Sequence, residues 1–389
     1  MTGRSWGIGL AAQSGLIQAA AVGLRIMMGY RALELGADPV FLGVLVASFS
    51  LPALFAALPT GRLSDRVGGA VVVLTGQGVF LSGAAVLLLW PTLWALLAGS
   101  AVTGLGFLLM MVGQQTLVAH QALHNTDGAF GNLSAAASIG QLVGPVLVAF
   151  VAAPRAGSTE ADITAGVLAC LGCVVLTLPA HIVFRRSDAA NRATRLALRT
   201  VDRRALTVLR TPGLWRALVL GGSVLATSDL LYAFIPAWAA ENGVDIQTVG
   251  WLLAIRAAAS AACRFGLARL VAAFGRSRLL GAAALLGAVA LAALPFAGLP
   301  GAYVVMLALG IALGLPQPLV MAWIVSITDP GRVGAALGLR LTANRFAQVT
   351  IPVLLGTVAT SVGVSGIFWA NAVFLAGAAC VLPDRRRRR

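Results

Sequence analysis

Apolar stretches, each long enough to cross a lipid bilayer as a helix, follow one another along almost the whole chain, and this one feature decides the solvent. A bilayer core is about 30 Å thick, so a helix needs about twenty mostly apolar residues to span it. Such windows fall near 6–30, 39–59, 70–90, 93–117, 129–152 and 163–184, then near 213–239, 248–268, 277–297, 301–325, 335–359 and 364–382. With 59% of the 389 residues apolar and 11% charged, little sequence is left over for a soluble catalytic domain. The expected fold class is therefore an all-α membrane protein of 12 transmembrane helices. The first window, beginning near Trp6, is too long for the apolar core of a signal peptide and has no small-residue cleavage site, so it reads as a retained helix.

The net charge of +15 is compatible with nucleic-acid binding only if the basic residues line one face, and they do not. All 28 are arginines, confined mainly to short loops and a tail, which is the pattern of a topology signal. With the amino terminus, the even-numbered connections and the tail on one side, that side holds Arg4, Arg62, Arg66, the cluster from Arg185 to Arg216, Arg269, Arg276, Arg278, Arg332 and Arg385–Arg389. The other side holds Arg31 and Arg155. The positive-inside rule then predicts both termini in the cytoplasm of a bacterial-type inner membrane. The run Arg385–Arg389 reads either as a topological anchor or as a site for anionic lipid headgroups.

A polar, arginine-rich stretch at 185–212 divides the chain into residues 1–184 and 213–389. The two parts repeat. Sliding the chain by 207 positions places Gly36, Gly43, Leu45, Arg62, Leu63 and Gly68 on Gly243, Gly250, Leu252, Arg269, Leu270 and Gly275. The same shift places Gly131, Gln141, Pro145, Val146 and Leu147 on Gly338, Gln348, Pro352, Val353 and Leu354. Matched arginine, glutamine and proline positions over about a hundred residues without a gap predict two pseudo-symmetric six-helix bundles, related by an axis along the membrane normal.

The sharpest local motif is Gly61-Arg62-Leu63-Ser64-Asp65-Arg66-Val67-Gly68-Gly69, read as the loop between the second and third spans. Gly61 permits close helix approach, Asp65 can accept hydrogen bonds at a helix amino terminus, and Arg66 can pair with a carboxylate or a phosphate headgroup. This motif resembles the signature loop of the major facilitator superfamily, and the resemblance covers essentially the whole chain through the six-plus-six arrangement. It implies a transporter in which Gly61, Asp65, Arg66 and Gly68 form a cytoplasmic latch. In the second half Arg269 and Gly275 are retained, but Ala272 and Ala273 stand where Asp65 and Arg66 do. In the fifth span, Gly140, Gly144 and Pro145 resemble the GxxxGP element of the 12-helix drug:proton antiporter branch, where close packing and a proline kink make a pivot. Val148-Ala149 replaces the paired glycines that usually follow, and plain small-residue packing is the other reading.

Ionisable groups inside the hydrocarbon cost at least ~2.5–3.5 kcal/mol each near a helix centre, so each needs a partner or water. Six stand there: Arg25, Asp229, Arg256, Arg264, Arg340 and Arg345. Asp229 and Arg256 lie similar distances from the turn near Gly243, so both should sit near mid-membrane as a charge pair. In one reading Asp229 is protonated and released during proton coupling, and in the other the pair is a static device holding two helices in register. Arg264 and Arg340 lie near helix ends and snorkel. The family's helix arrangement implies that Arg25, Arg256 and Arg345 face the substrate, with Gln141, Gln348 and Tyr232 as further cavity candidates. Excess positive charge favours an anionic or zwitterionic small molecule.

Nothing in the chain assembles an enzyme. Cys170 and Cys173, one turn apart, read as packing residues, and His120, His124 and Asp127 as a polar turn, so no metal and no cofactor are expected. No Walker-type loop is present, which leaves an ion or solute gradient as the energy source. The expected function is secondary transport by alternating access, as proton-coupled efflux. The alternatives are uptake or facilitated diffusion of an organic anion, and, from another class, a non-transporting receptor or scaffold. The expected partners are the substrate, protons and lipid, with the protein monomeric.

Overall fold

A computed structural model describes residues 3–121, 126–154, 161–181, 184, 211–328, 333–358 and 363–380. The central stretch 185–210, His124, Arg155, Arg332, Arg385–Arg389 and the side chains of His120 and Asp127 lie outside the described residues. Among the described residues the regular structure is entirely helical. The helices are α1 (Gly3–Glu34), α2 (Pro39–Val67), α3 (Gly69–Leu89), α4 (Leu93–Gln121), α5 (Thr126–Val151), α6 (Ile163–Val175), α7 (Leu214–Glu241), α8 (Ile246–Phe265), α9 (Leu267–Phe274), α10 (Arg276–Ala293), α11 (Leu299–Gly314), α12 (Pro316–Ile327), α13 (Val333–Val358) and α14 (Val364–Cys380). Among the described residues, nine helical stretches are long and apolar enough to cross a membrane, and Ile163–Val175 and Val364–Cys380 are shorter apolar helices.

Two departures from the expected spans have plain causes. The motif around Asp65 is not a loop, because α2 runs on through Val67 and only Gly68 turns the chain into α3, at φ 99°. Hydropathy falls at Arg62, Ser64, Asp65 and Arg66, where the helix becomes polar without ending. The tenth window is two helices, α11 and α12, because Pro316 has no amide hydrogen to continue the first.

Packing divides the chain into two units, Met1–Ala37 with Ser48–Thr200 and Gly243–Ala254, and Asp38–Ala47 with Val201–Asn242 and Ile255–Arg389. In the first unit, α3 and α4 meet along a glycine seam. Gly69, Gly76 and Gly83, seven residues apart, face Gly113, Gly106 and Gly99 so closely that a methyl group on any of them would strike the opposite backbone. A seven-residue step is about two helical turns, so the glycines form one stripe and the backbones approach along its length. α1 packs against α5 in the same manner, Gly140 against Gly15 and Gly144 against Ala19. In the second unit α7 packs against α11, α12, α13 and α14, with Gly222 against Ala347.

The repeat has a backbone counterpart. Gly36 and Gly243 both carry positive φ (72° and 64°), as do Gly68 and Gly275 (99° and 79°). Two residues after the first pair, Asp38 and Asp245 cap the next helices, accepting from the Phe41 amide at 2.7 Å and the Thr248 amide at 2.8 Å. Gly43 lies against the Pro352 carbonyl in the second unit, and its repeat mate Gly250 against the Pro145 carbonyl in the first.

Candidate functional site

The polar centre of the second unit is built on α7, α8 and α13. Asp229 stands near the middle of α7 and is 7% exposed. Its carboxylate accepts a hydrogen bond from Nε2 of Gln348, a buried residue of α13. The other end of that amide, Oε1, accepts from Arg345 Nη1 at 3.0 Å. One turn of α13 thus presents a cation and an amide together, because residues three apart share a helix face. Gly222 of α7 lies against Ala347 in this stretch, and its missing side chain lets α13 come close enough for Gln348 to reach Asp229.

Arg256, near the middle of α8 and 5% exposed, donates from Nη2 to the Tyr232 hydroxyl at 2.7 Å, with its guanidinium carbon 5.0 Å from the centre of the Tyr232 ring. Gly310 of α11 closes against the Arg256 carbonyl from the other side. Tyr232 lies on α7 less than one turn beyond Asp229, so α7 carries both the carboxylate and the ring that meets the second cation. Two further polar pairs involve α7: Thr227 donates to Asn371 Oδ1 at 3.0 Å, and Gln317 to the Gly221 carbonyl at 3.2 Å. Arg256 Nε and Asn344 Oδ1 are buried with no hydrogen-bond partner among the described residues, a donor and an acceptor left over.

The first unit holds a corresponding pair. Arg25 of α1 places its guanidinium carbon 3.9 Å from the centre of the Phe49 ring, and Phe49 in turn meets Phe107 at 5.8 Å. Position 25 is the repeat mate of Tyr232, and position 49 that of Arg256. Both units therefore join the same two positions by a cation and an aromatic ring, with the two partners exchanged. Phe49 carried no signal by itself, but asking what faces each membrane arginine in the 207-residue alignment points to it.

Gln141 is half-buried on α5, and its repeat relation to Gln348 does not extend to the partners: Val22 and Ser138 occupy the positions of Asp229 and Arg345. Gly140 and Gly144 pack against α1, and Pro145 is buried in α5. Asp65 and Arg66 are exposed at the end of α2, and Gly61 has open space where a side chain would stand, so it does not serve close helix approach here. Arg264 is exposed and reaches Ser260 Oγ at 3.5 Å, and Arg340 is half-buried. Gln13 and Gln114, both buried, bond to each other across α1 and α4 at 3.3 Å. Such amide pairs join helices where no water is available.

Comparison with known proteins identifies the family and the fold. The family described as Major Facilitator Superfamily matches residues 10–241 and 223–389. The Inner membrane transport protein YajR of Escherichia coli (strain K12) is 26% identical over 102 residues, which is 26% of this chain and 22% of that relative, so the match spans about a fifth of its length. Among solved structures, the nucleoside transporter NupG superposes with a TM-score of 0.75 at 13% identity, covering 97% of this chain and 96% of that one. A D-xylose-proton symporter gives 0.76 at 16% identity, covering 98% of each chain. A bacterial homologue of the human lysosomal transporter Spinster, inward-facing and unoccupied, gives 0.76 at 12% identity, covering 97% and 95%. These likenesses show the fold.

Proposed function

Because the chain belongs to the Major Facilitator Superfamily and is a multi-pass membrane transporter rather than an enzyme, we propose that it moves a small anionic or zwitterionic molecule across a bacterial-type inner membrane, with protons as the coupling ion and Asp229 as their site. The arginine asymmetry supports both termini lying in the cytoplasm, and a monomer is the proposed working unit.

The observation that carries this reading is the imbalance of charge on the helices around Asp229, where Asp229 and Arg256 are buried and Arg345 is half-buried. Asp229 is tied through Gln348 to Arg345, and Arg256 sits beside Tyr232 on the neighbouring helix. Among the described residues of α7, α8, α11, α12, α13 and α14, the acids are Asp229 and the exposed Glu241 at the end of α7, against Arg216, Arg256, Arg264, Arg340 and Arg345. A buried cation without enough counter-charge favours an anion, and an anion that displaces a carboxylate from a guanidinium leaves that carboxylate ready to take a proton. Proton and anion then bind together. The Gly140–Pro145 element favours efflux by exchange, whereas joint binding favours co-transport, in which an inward proton gradient drives uptake. The charge arrangement is the more direct of the two supports, so uptake of the anion with a proton is the proposed direction. The D-xylose-proton symporter offers a fold-level parallel for co-transport.

The test is flux into proteoliposomes of carboxylates and of amines with the same carbon skeletons, in wild type, Arg256→Ala and Arg345→Ala. Faster flux of a carboxylate than of its matched amine, lost in both variants, supports the proposal. Carboxylate flux unchanged by both substitutions rejects it.

A further inference from the structure

We propose that Gln348 is a positioning residue that transmits the charge of Asp229 to Arg345, so that protonating the carboxylate releases the guanidinium for an anion. The inference rests on the transport reading above and names the device by which proton and anion would be linked.

The amide of Gln348 lies between two groups of opposite hydrogen-bonding character. An ionised carboxylate only accepts, and a guanidinium only donates. The amide therefore has one orientation that satisfies both, Nε2 toward Asp229 and Oε1 toward Arg345, and this is the orientation observed. Turning it over sets donor against donor and acceptor against acceptor. Gln348 is 3% exposed, so water does not replace either bond cheaply.

When a proton from the aqueous side adds to a carboxylate oxygen of Asp229, no other bond need break, but two things change. The bond from Nε2 falls from charge-assisted to neutral, which roughly halves its strength. The negative charge compensating Arg345 disappears from the cluster. The charged and titratable groups on the helices around Asp229 are Arg340 and Arg345 on α13, Arg256, Cys263 and Arg264 on α8, Tyr303 on α11, Cys380 at the end of α14, and Arg216, Tyr232 and Glu241 on α7 itself, with none on α12. None of these except the distant, exposed Glu241 supplies a negative charge at neutral pH, so the missing charge is best restored by an anion arriving at Arg345. Linkage is reciprocal: if the proton favours the anion, the anion favours the proton to the same degree.

The repeat isolates the device. Gln141 holds the equivalent place in the first half, but with Val22 and Ser138 where Asp229 and Arg345 stand there is no charge to transmit. The same glutamine thus stands between charged positions in one half and uncharged positions in the other.

The test reads Arg345 directly and needs no substrate. The full-length protein in detergent is treated with phenylglyoxal, which reacts with guanidinium groups not held by acceptors, and modification of Arg345 is followed by peptide mass spectrometry at fixed pH, with exposed Arg62 as the internal reference. Asp229→Asn, which mimics the protonated acid, and Gln348→Met, which keeps the side-chain length without donor or acceptor, should each raise the Arg345 rate several-fold. The double variant should react no faster than the quicker single one. Gln348→Glu keeps an acceptor for Arg345 and loses the donor to Asp229, so it should hold the rate at or below wild type and make it insensitive to Asp229→Asn. That variant carries the test if the methionine variant does not fold. An unchanged rate in Asp229→Asn, or an equal acceleration by Asp229→Asn with methionine at position 348, overturns the relay. Since flux is not measured, failure here leaves the transport reading standing, and absence of flux in the separate assay leaves the relay standing.

Discussion

Arg25 stacks over Phe49 at 3.9 Å, and 207 residues later the same two positions carry the partners exchanged, the Arg256 guanidinium lying 5.0 Å from the centre of the Tyr232 ring and donating to its hydroxyl at 2.7 Å. A cation over an aromatic face is stabilised by ~0.5–2 kcal/mol, and the benefit does not depend on which helix supplies which partner. One repeat can therefore reverse the pair, and the two units differ both in where the charge sits and in how it meets the ring, by stacking in one and through the tyrosine hydroxyl in the other.

This relation gives the first expected outcome. Phe49→Leu should lower stability by about 0.5–2 kcal/mol. The exchange variant Arg25→Phe with Phe49→Arg should recover part of that loss, whereas Arg25→Phe alone should not restore it. Thermal unfolding of the purified protein in one detergent, compared across the three variants, checks this. A swap no better than Phe49→Leu contradicts the pairing.

The glycine seam makes a sharper contrast within one helix. Gly76 faces Gly106, with a methyl group there meeting backbone and Leu109 at 2.8 Å, while Gly78, two residues away, has nothing within 4 Å. Gly76→Ala should cost about 1–3 kcal/mol by overpacking. Gly78→Ala should be neutral or stabilising by up to about 1 kcal/mol, since alanine is the better helix former. Unfolding midpoints measured side by side decide it, and equal effects would contradict close packing along the seam.

Asp245 supplies the pH-dependent outcome. Partial burial pushes its carboxyl upward, but the Thr248 hydroxyl and the Thr248 and Gln247 amides outweigh this and hold it below the usual carboxylate range. A depressed carboxyl stabilises the fold above its unfolded value, roughly pH 4, and that contribution is lost as pH falls through the folded value. Asp245→Ala should therefore lower stability by about 1 kcal/mol at neutral pH, as cap removal does. The gap to wild type should narrow as pH falls below the ordinary carboxylate range. A gap that is constant with pH contradicts the charged-cap reading.

Much of the fold was legible because a bilayer demands long apolar helices and the repeat doubles every signal. Asp38 and Asp245 cap equivalent helices, and Gly36 and Gly243 turn equivalent corners, as a single 207-residue shift implies. The end of α2 was not legible: a hydropathy window marks where lipid stops, whereas helix hydrogen bonding continues through Asp65 to Val67. Asp229, Arg345, Gln348, Arg256 and Tyr232 were all visible as polar or aromatic oddities in apolar spans. Which of them touch was not, because contacts between helices depend on rotation about each axis, and membrane helices that are apolar all round carry little periodic signal. Phe49 escaped for a related reason, since a phenylalanine in a membrane helix looks like any other lipid-soluble residue until a cation is found above it.

Proton coupling at Asp229 is tested by following protons and anion together. Proteoliposomes holding the full-length protein and a lumenal pH dye receive an external carboxylate that the flux assay identifies as transported, at equal pH on both sides and with the membrane voltage clamped by potassium and valinomycin. Wild type should acidify the lumen in step with carboxylate entry, and Asp229→Asn should abolish the acidification. Carboxylate entry without lumenal acidification in wild type, or acidification undiminished in Asp229→Asn, would contradict proton coupling at Asp229.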